Sequence, residues 1–139
     1  MAWAIEKDVR AAMMVALTDY SRRCLPGVSR PSTCEIVENK ANVGTFDTFI
    51  ACNRKSAWIE LKFAGPNAAP KMRAGQPGFG FRMKAAQQPA VVLIGHADES
   101  YRLIAPDTLG PDWRDKLLER GDHLDWTVIE RIFNNDWPL

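Results

Sequence analysis

Apolar residues recur at three- and four-residue steps near the start of the chain: Ile5, Val9, Ala12, Ala16 and Tyr20, with Met13 and Leu17 widening the stripe. That period predicts a helix over residues 3 to about 21. Pro26, Gly27 and Pro31 then predict a loop over 22–32. Three short runs follow that suit strands, 33–38, 45–52 and 56–63, separated by turns rich in Asn, Gly and Lys. Gly65, Pro66 and Pro70 mark another loop over 64–70. A short helix is expected within 76–87, although Gly78 and Gly80 weaken its first turn. The unbroken run Val91-Val92-Leu93-Ile94 within 89–95 predicts a buried strand, and 101–104 one more. Residues 112–120 read as helical, with Gly121 as a C-terminal stop. In 122–139, Val128, Ile129, Ile132 and Phe133 fit a last helix. The order helix–strand–strand–strand–helix–strand implies an α/β layer with a mixed sheet.

Composition narrows the class. The chain has 139 residues, of which 46% are hydrophobic and 25% charged, as expected of a single globular domain with one core. No apolar run is long enough to span a bilayer, and the first residues lack the basic-then-apolar order of a signal peptide. Three cysteines (Cys24, Cys34, Cys52) form no CxxC pair, and an odd count suits reduced thiols. A cytoplasmic protein with no membrane partner is expected. The net charge of +1 conceals an uneven distribution: residues 1–52 are neutral, 53–84 carry +6 and 85–139 carry −5. Glu60 is the only acid of the basic block, a surface suited to phosphates.

The run Ala57-Trp58-Ile59-Glu60-Leu61-Lys62-Phe63 is the most informative. At a period of two, Ala57, Ile59, Leu61 and Phe63 face one way, and Trp58, Glu60 and Lys62 the other. The preceding strand carries Asp47 among Phe46, Phe49 and Ile50, although Asp is depleted in strands. If 53–55 forms a hairpin turn, a two-residue loop pairs Asp47 with Glu60 and a four-residue loop pairs it with Lys62. Either register puts all three on one face; a three-residue loop without a bulge does not. Two carboxylates beside an ammonium suit a hard divalent cation and a phosphate. Glu38-Asn39-Lys40 has the same spacing but no acidic residue on a strand before it, so it is set aside.

These residues, in this order, resemble the PD-(D/E)xK nuclease superfamily, most closely small phage-type endonucleases and Holliday junction resolvase-like proteins. The resemblance rests on Gly44-Thr45-Phe46-Asp47 followed by Trp58-Ile59-Glu60-Leu61-Lys62. It continues with a basic loop leading to a glutamine, Lys71-Met72-Arg73-Ala74-Gly75-Gln76, and the apolar strand 91–94. It implies a restriction-endonuclease-like core over about 3–105, a mixed central sheet flanked by helices, with 106–139 as a C-terminal extension of the same domain. It also implies a Mg²⁺-dependent endonuclease (Mn²⁺ substituting) with Asp47, Glu60, Lys62, Glu6 and Gln76 as catalytic residues. Asp47, Glu60, Glu6 and the main-chain carbonyl of Leu61 would be metal ligands, and Lys71, Arg73 and Arg82 DNA contacts. Phage encoding in a bacterial host follows from the same likeness. Phe46 stands where the family commonly has Pro, and no Tyr falls four residues after Gln76.

Other chemistries find little support. His96 and His123 lack partners at zinc-site spacing, and Gly75-Gln76-Pro77-Gly78-Phe79-Gly80 is not a phosphate loop. Trp58 alone of the five tryptophans shares a face with Glu60. Cutting two strands or a junction calls for two sites, hence a twofold dimer. A second reading is a non-catalytic DNA-binding or protein-interaction module on the same fold.

Overall fold

The computed structural model describes residues 2–37 and 44–137. Its elements run α1 (Glu6–Cys24), β1 (Ser32–Ile36), β2 (Thr48–Cys52), β3 (Lys55–Phe63), α2 (Gln76–Ala85), β4 (Ala90–Gly95), β5 (Tyr101–Ile104), β6 (Leu117–Gly121) and α3 (Trp126–Asn134). The six strands form one sheet in chain order. Only the β3–β4 pair is parallel, which makes the sheet mixed and the class α/β. Among the described residues no helix is long and apolar enough to cross a membrane.

Local chemistry sets the element ends. Asp8, in the first turn of α1, accepts hydrogen bonds from the backbone N–H groups of Ala4 (2.7 Å) and Ile5 (3.2 Å). At the start of α3, Asp125 accepts from the N–H of Thr127 (3.0 Å). Asn53 (φ 51°) and Arg54 (φ 65°) form a two-residue turn whose paired positive φ values match the twist of a tight hairpin.

Side-chain alternation divides the core into two. Ala57, Ile59 and Leu61 of β3, Val91 and Leu93 of β4 and Leu103 of β5 pack with Val9, Met13 and Leu17 of α1. Val128, Ile129, Ile132 and Phe133 of α3 join this cluster. Val92, Ile94 and Ile104 face the other way, against Phe46, Trp113 and the partly buried Trp58, Phe79 and Met83. Helix α3 near the C-terminal end therefore shares one apolar cluster with α1, β3 and β4.

One expected element is absent. Residues 112–120 are not a helix: turns occupy 111–116 and Leu117–Gly121 is a strand, so Gly121 ends a strand instead of capping a helix. Pairing with β5 and burial of Trp113 against the second core outweigh the local helical pattern. Helix α2 starts at Gln76 despite its glycines, and Gly80 has a positive reason to be there. A Cβ at that position would lie 1.6 Å from the carbonyl oxygen of Pro106. The motif Glu38-Asn39-Lys40 and the end of the first expected strand lie outside the described residues.

Candidate active site

The two-residue turn fixes the register Cys52↔Lys55 through Thr48↔Ile59. Asp47, the residue before β2, therefore comes opposite Glu60, the first of the two registers the sequence leaves open. Its backbone N–H donates to Glu60 Oε1 at 3.2 Å. Glu60 is only 1% exposed. Its other oxygen lies 3.1 Å from Lys62 Nζ and 4.0 Å from a guanidinium nitrogen of Arg73. A buried carboxylate is tolerated in such a place because charge and hydrogen bonds replace the water it has lost.

Asp47 is held from a different side. Its Oδ1 accepts from the Thr48 hydroxyl (3.0 Å), and its Oδ2 is 3.8 Å from Arg10. Arg10 also reaches Glu6 at 3.6 Å, so one guanidinium links the helix carboxylate to the strand carboxylate. Partial burial, followed by repulsion from Asp47 and Glu60, raises the pKa of Glu6 above 4.5; Arg10 and Lys62 oppose the shift. Glu6 thus belongs to the electrostatic surroundings of the strand pair.

Gln76 ties the loop before α2 to β3. It is wholly buried, and its Oε1 accepts from the backbone N–H of Arg73 (2.8 Å) and from Lys62 Nζ (3.5 Å). Its side-chain Nε2 is buried without a partner among the described residues, an uncommon state for a buried amide. Gly44 makes the approach of this loop possible. A Cβ on Gly44 would stand 2.7 Å from the carbonyl carbon and oxygen of Gly75, which itself has φ +87°. The segments leading to Asp47 and Gln76 therefore cross backbone against backbone.

The remaining expected residues fall into two groups. Leu61 lies between Glu60 and Lys62 with its side chain in the apolar core, leaving only its main-chain carbonyl for any site role. Lys71, Arg73 and Arg82 are exposed. Arg73 approaches Glu60, whereas Arg82 folds back along α2 to within 3.5 Å of where a Gly78 Cβ would stand. Arg10 was not singled out from the sequence, although its i, i+4 spacing from Glu6 on a helix is a readable signal.

The donor set of Asp47, Glu60, the Leu61 carbonyl and Glu6 is all oxygen, which suits Mg²⁺ better than softer metals. Among the described residues no three His, Cys, Asp or Glu side chains lie close enough together to hold a metal ion as they stand. Arg10, Lys62 and Arg73 occupy the carboxylates instead. No known protein family matches the chain, and no curated protein is significantly similar to it.

Proposed function

We propose that this chain is a divalent-metal-dependent DNA endonuclease of the PD-(D/E)xK type, with a restriction-endonuclease-like core, that hydrolyses phosphodiester bonds. The observation that carries the reading is Asp47 opposite a buried Glu60, with Lys62 on the same strand face and Gln76 in contact with that lysine. Asp47, Glu60 and the Leu61 carbonyl would hold Mg²⁺, with Glu6 close by. When bound, the cation supplies Lewis-acid charge that acidifies water and offsets the charge growing on the phosphoryl group.

The protein's own groups have defined tasks in this reading. Lys62, held between Glu60 and Gln76, presents an ammonium to a phosphoryl oxygen or orients the attacking water. Gln76 fixes the turn that carries Arg73, and so sets where that guanidinium meets the substrate. Arg10 restrains Asp47 and Glu6 by pairing with both carboxylates. Lys71, Arg73 and Arg82 contact the DNA backbone, which makes binding salt-dependent. Branched or otherwise structured DNA is the proposed substrate class, cut by a twofold dimer in the cytoplasm of a bacterial host.

The alternative is a DNA-binding or protein-interaction module without catalysis. It draws on one observation: the carboxylates are neutralised by arginine and lysine within the chain itself. A cleavage panel separates the two. Four-way junction, linear duplex and single strand are offered with Mg²⁺, Mn²⁺ or EDTA, beside a Lys62→Ala variant. Cutting that needs metal and is lost in the variant is the expected result. Binding without cutting in either metal would establish the module instead.

A further inference from the structure

A second polar site lies two strands away from Lys62 on the same sheet face. The registers run Lys62↔Ile94, Ile94↔Arg102 and Arg102↔Arg120, so one row crosses β3 to β6 and three of its four members are basic. Neighbouring strands are about 4.8 Å apart, which sets Arg102 and Arg120 about 10 and 14 Å from Lys62 along that row. Like charges directly opposite each other destabilise a sheet, so the Arg102–Arg120 pair needs a counter-charge.

Arg102 is 4% exposed, yet no carboxylate among the described residues forms an ion pair with it. Its guanidinium stacks 3.8 Å from the Trp113 ring centre and donates to His96 Nε2 (3.0 Å) and to the Ala68 carbonyl (3.0 Å). One terminal nitrogen is buried with no partner. Burial, reinforced by nearby Arg114, pulls its pKa down, so holding this charge has a cost. A cavity of about 410 Å³ adjoins it, lined in part by His96, Asp98, Ser100, Arg102, Arg120 and Asp122. Both aspartates are exposed, and Asp98 is turned onto the backbone N–H and hydroxyl of Ser100. Among the described residues that line the cavity, Arg102 is the one buried side chain of fixed charge, and an exposed carboxylate is screened where a buried guanidinium is not.

We propose that the cavity beside Arg102 and Arg120 is a phosphate site that receives a backbone phosphate of the DNA strand whose scissile phosphate lies at Lys62. The planar fork of arginine suits this ligand, and the transverse row gives the strand a direction across the sheet. The inference extends the nuclease reading by assigning β5 and β6 a share in substrate binding.

The test has two arms, both in EDTA with the full chain. In the first, inorganic phosphate is titrated while ¹⁵N-resolved NMR follows the Arg102 Nε–H and the backbone of 98–102 and 120–122. In the second, methylphosphonate is placed at single positions along a DNA strand and binding is measured across a range of salt. Arg120→Glu is the variant, because Arg120 is exposed and Arg102 also secures the loop over Gly65 and Ala68. Expected are phosphate-dependent shifts confined to this cavity and lost in the variant. One neutralised phosphate away from the cut should weaken wild-type binding about tenfold, with no further loss in Arg120→Glu. The variant's salt dependence should fall by about one phosphate contact. Shifts without a sensitive DNA position would assign the cavity to free phosphate and overturn the DNA assignment. No shifts, with equal DNA binding by both proteins, would overturn the site even if cleavage is found. Shifts and a sensitive position in a protein that cuts nothing would leave the site standing and remove the nuclease reading.

Discussion

Towards α1 and α3, the inward residues of β3 and β4 are apolar: Ala57, Ile59, Leu61, Val91 and Leu93. Towards α2, the same sheet buries Glu60 beside Val92 and Ile94, and Gln76, His96 and Arg102 lie buried nearby. The first face supplies folding free energy, about 2 kcal/mol for each fully buried large aliphatic side chain. The second holds charged and amide groups whose burial is unfavourable unless every polar atom is paired. Its pairing is incomplete at Gln76 Nε2 and at one nitrogen of Arg102. The apolar face provides the rigidity that keeps these groups in place.

The sharpest way to break this division is to change one atom type on the polar face. Glu60→Gln keeps the shape and removes the charge, and cleavage should fall by about three orders of magnitude, roughly 4 kcal/mol of transition-state stabilisation. Single-turnover rates on the preferred substrate measure this; a variant retaining a tenth of wild-type activity would show that Glu60 is not in the reaction centre. Ile132→Ala, on the apolar face, should do the reverse. Unfolding in urea should show a loss of about 2–5 kcal/mol, while the rate per folded molecule stays unchanged.

Gly44→Ala tests the backbone crossing that underlies the polar face, between the segments leading to Asp47 and Gln76. The added methyl collides with Gly75, and a loss of about 1–3 kcal/mol is expected together with weaker cleavage, because Asp47 and Gln76 are both displaced. Normal activity and stability in this variant would mean the crossing is slack. The smallest effect concerns Glu6. Its pKa is raised in the folded chain, so its contribution to stability is fully present below 4.5 and is lost as pH rises through the folded value. Glu6→Gln should therefore match wild type in acid and become slightly more stable than it above that range. Thermal melts across pH check the sign, and a difference that grows towards low pH would contradict it.

Much of this arrangement is legible in the sequence because period and parity are local. The stripe from Val9 to Tyr20 gives α1, the alternation of 57–63 gives both faces of β3, and a turn of even length suffices to bring Asp47 opposite Glu60 or Lys62. The strand at 117–121 is hidden because its pairing with β5 is tertiary, and no periodicity in 112–120 records it. Arg10, Gly75 and Arg102 are hidden for a related reason. Each acts through a partner far along the chain: Asp47 for Arg10, Gly44 for Gly75, and the Ala68 carbonyl for Arg102.

The short turn at Asn53 and Arg54 also orders events in time. The β2–β3 hairpin closes on itself within about ten microseconds, as hairpins do. The parallel β3–β4 pair must wait until the intervening segment with α2 has looped back, a slower closure. A newly made chain therefore brings Asp47 and Glu60 together before Gln76, the second core or the parallel strand exists to shield them. During that interval the two carboxylates repel each other in water, and Lys62 is the cation beside them on the hairpin itself. Lys62, which pairs with Glu60 in the finished site, is thus beside it on the hairpin from the start.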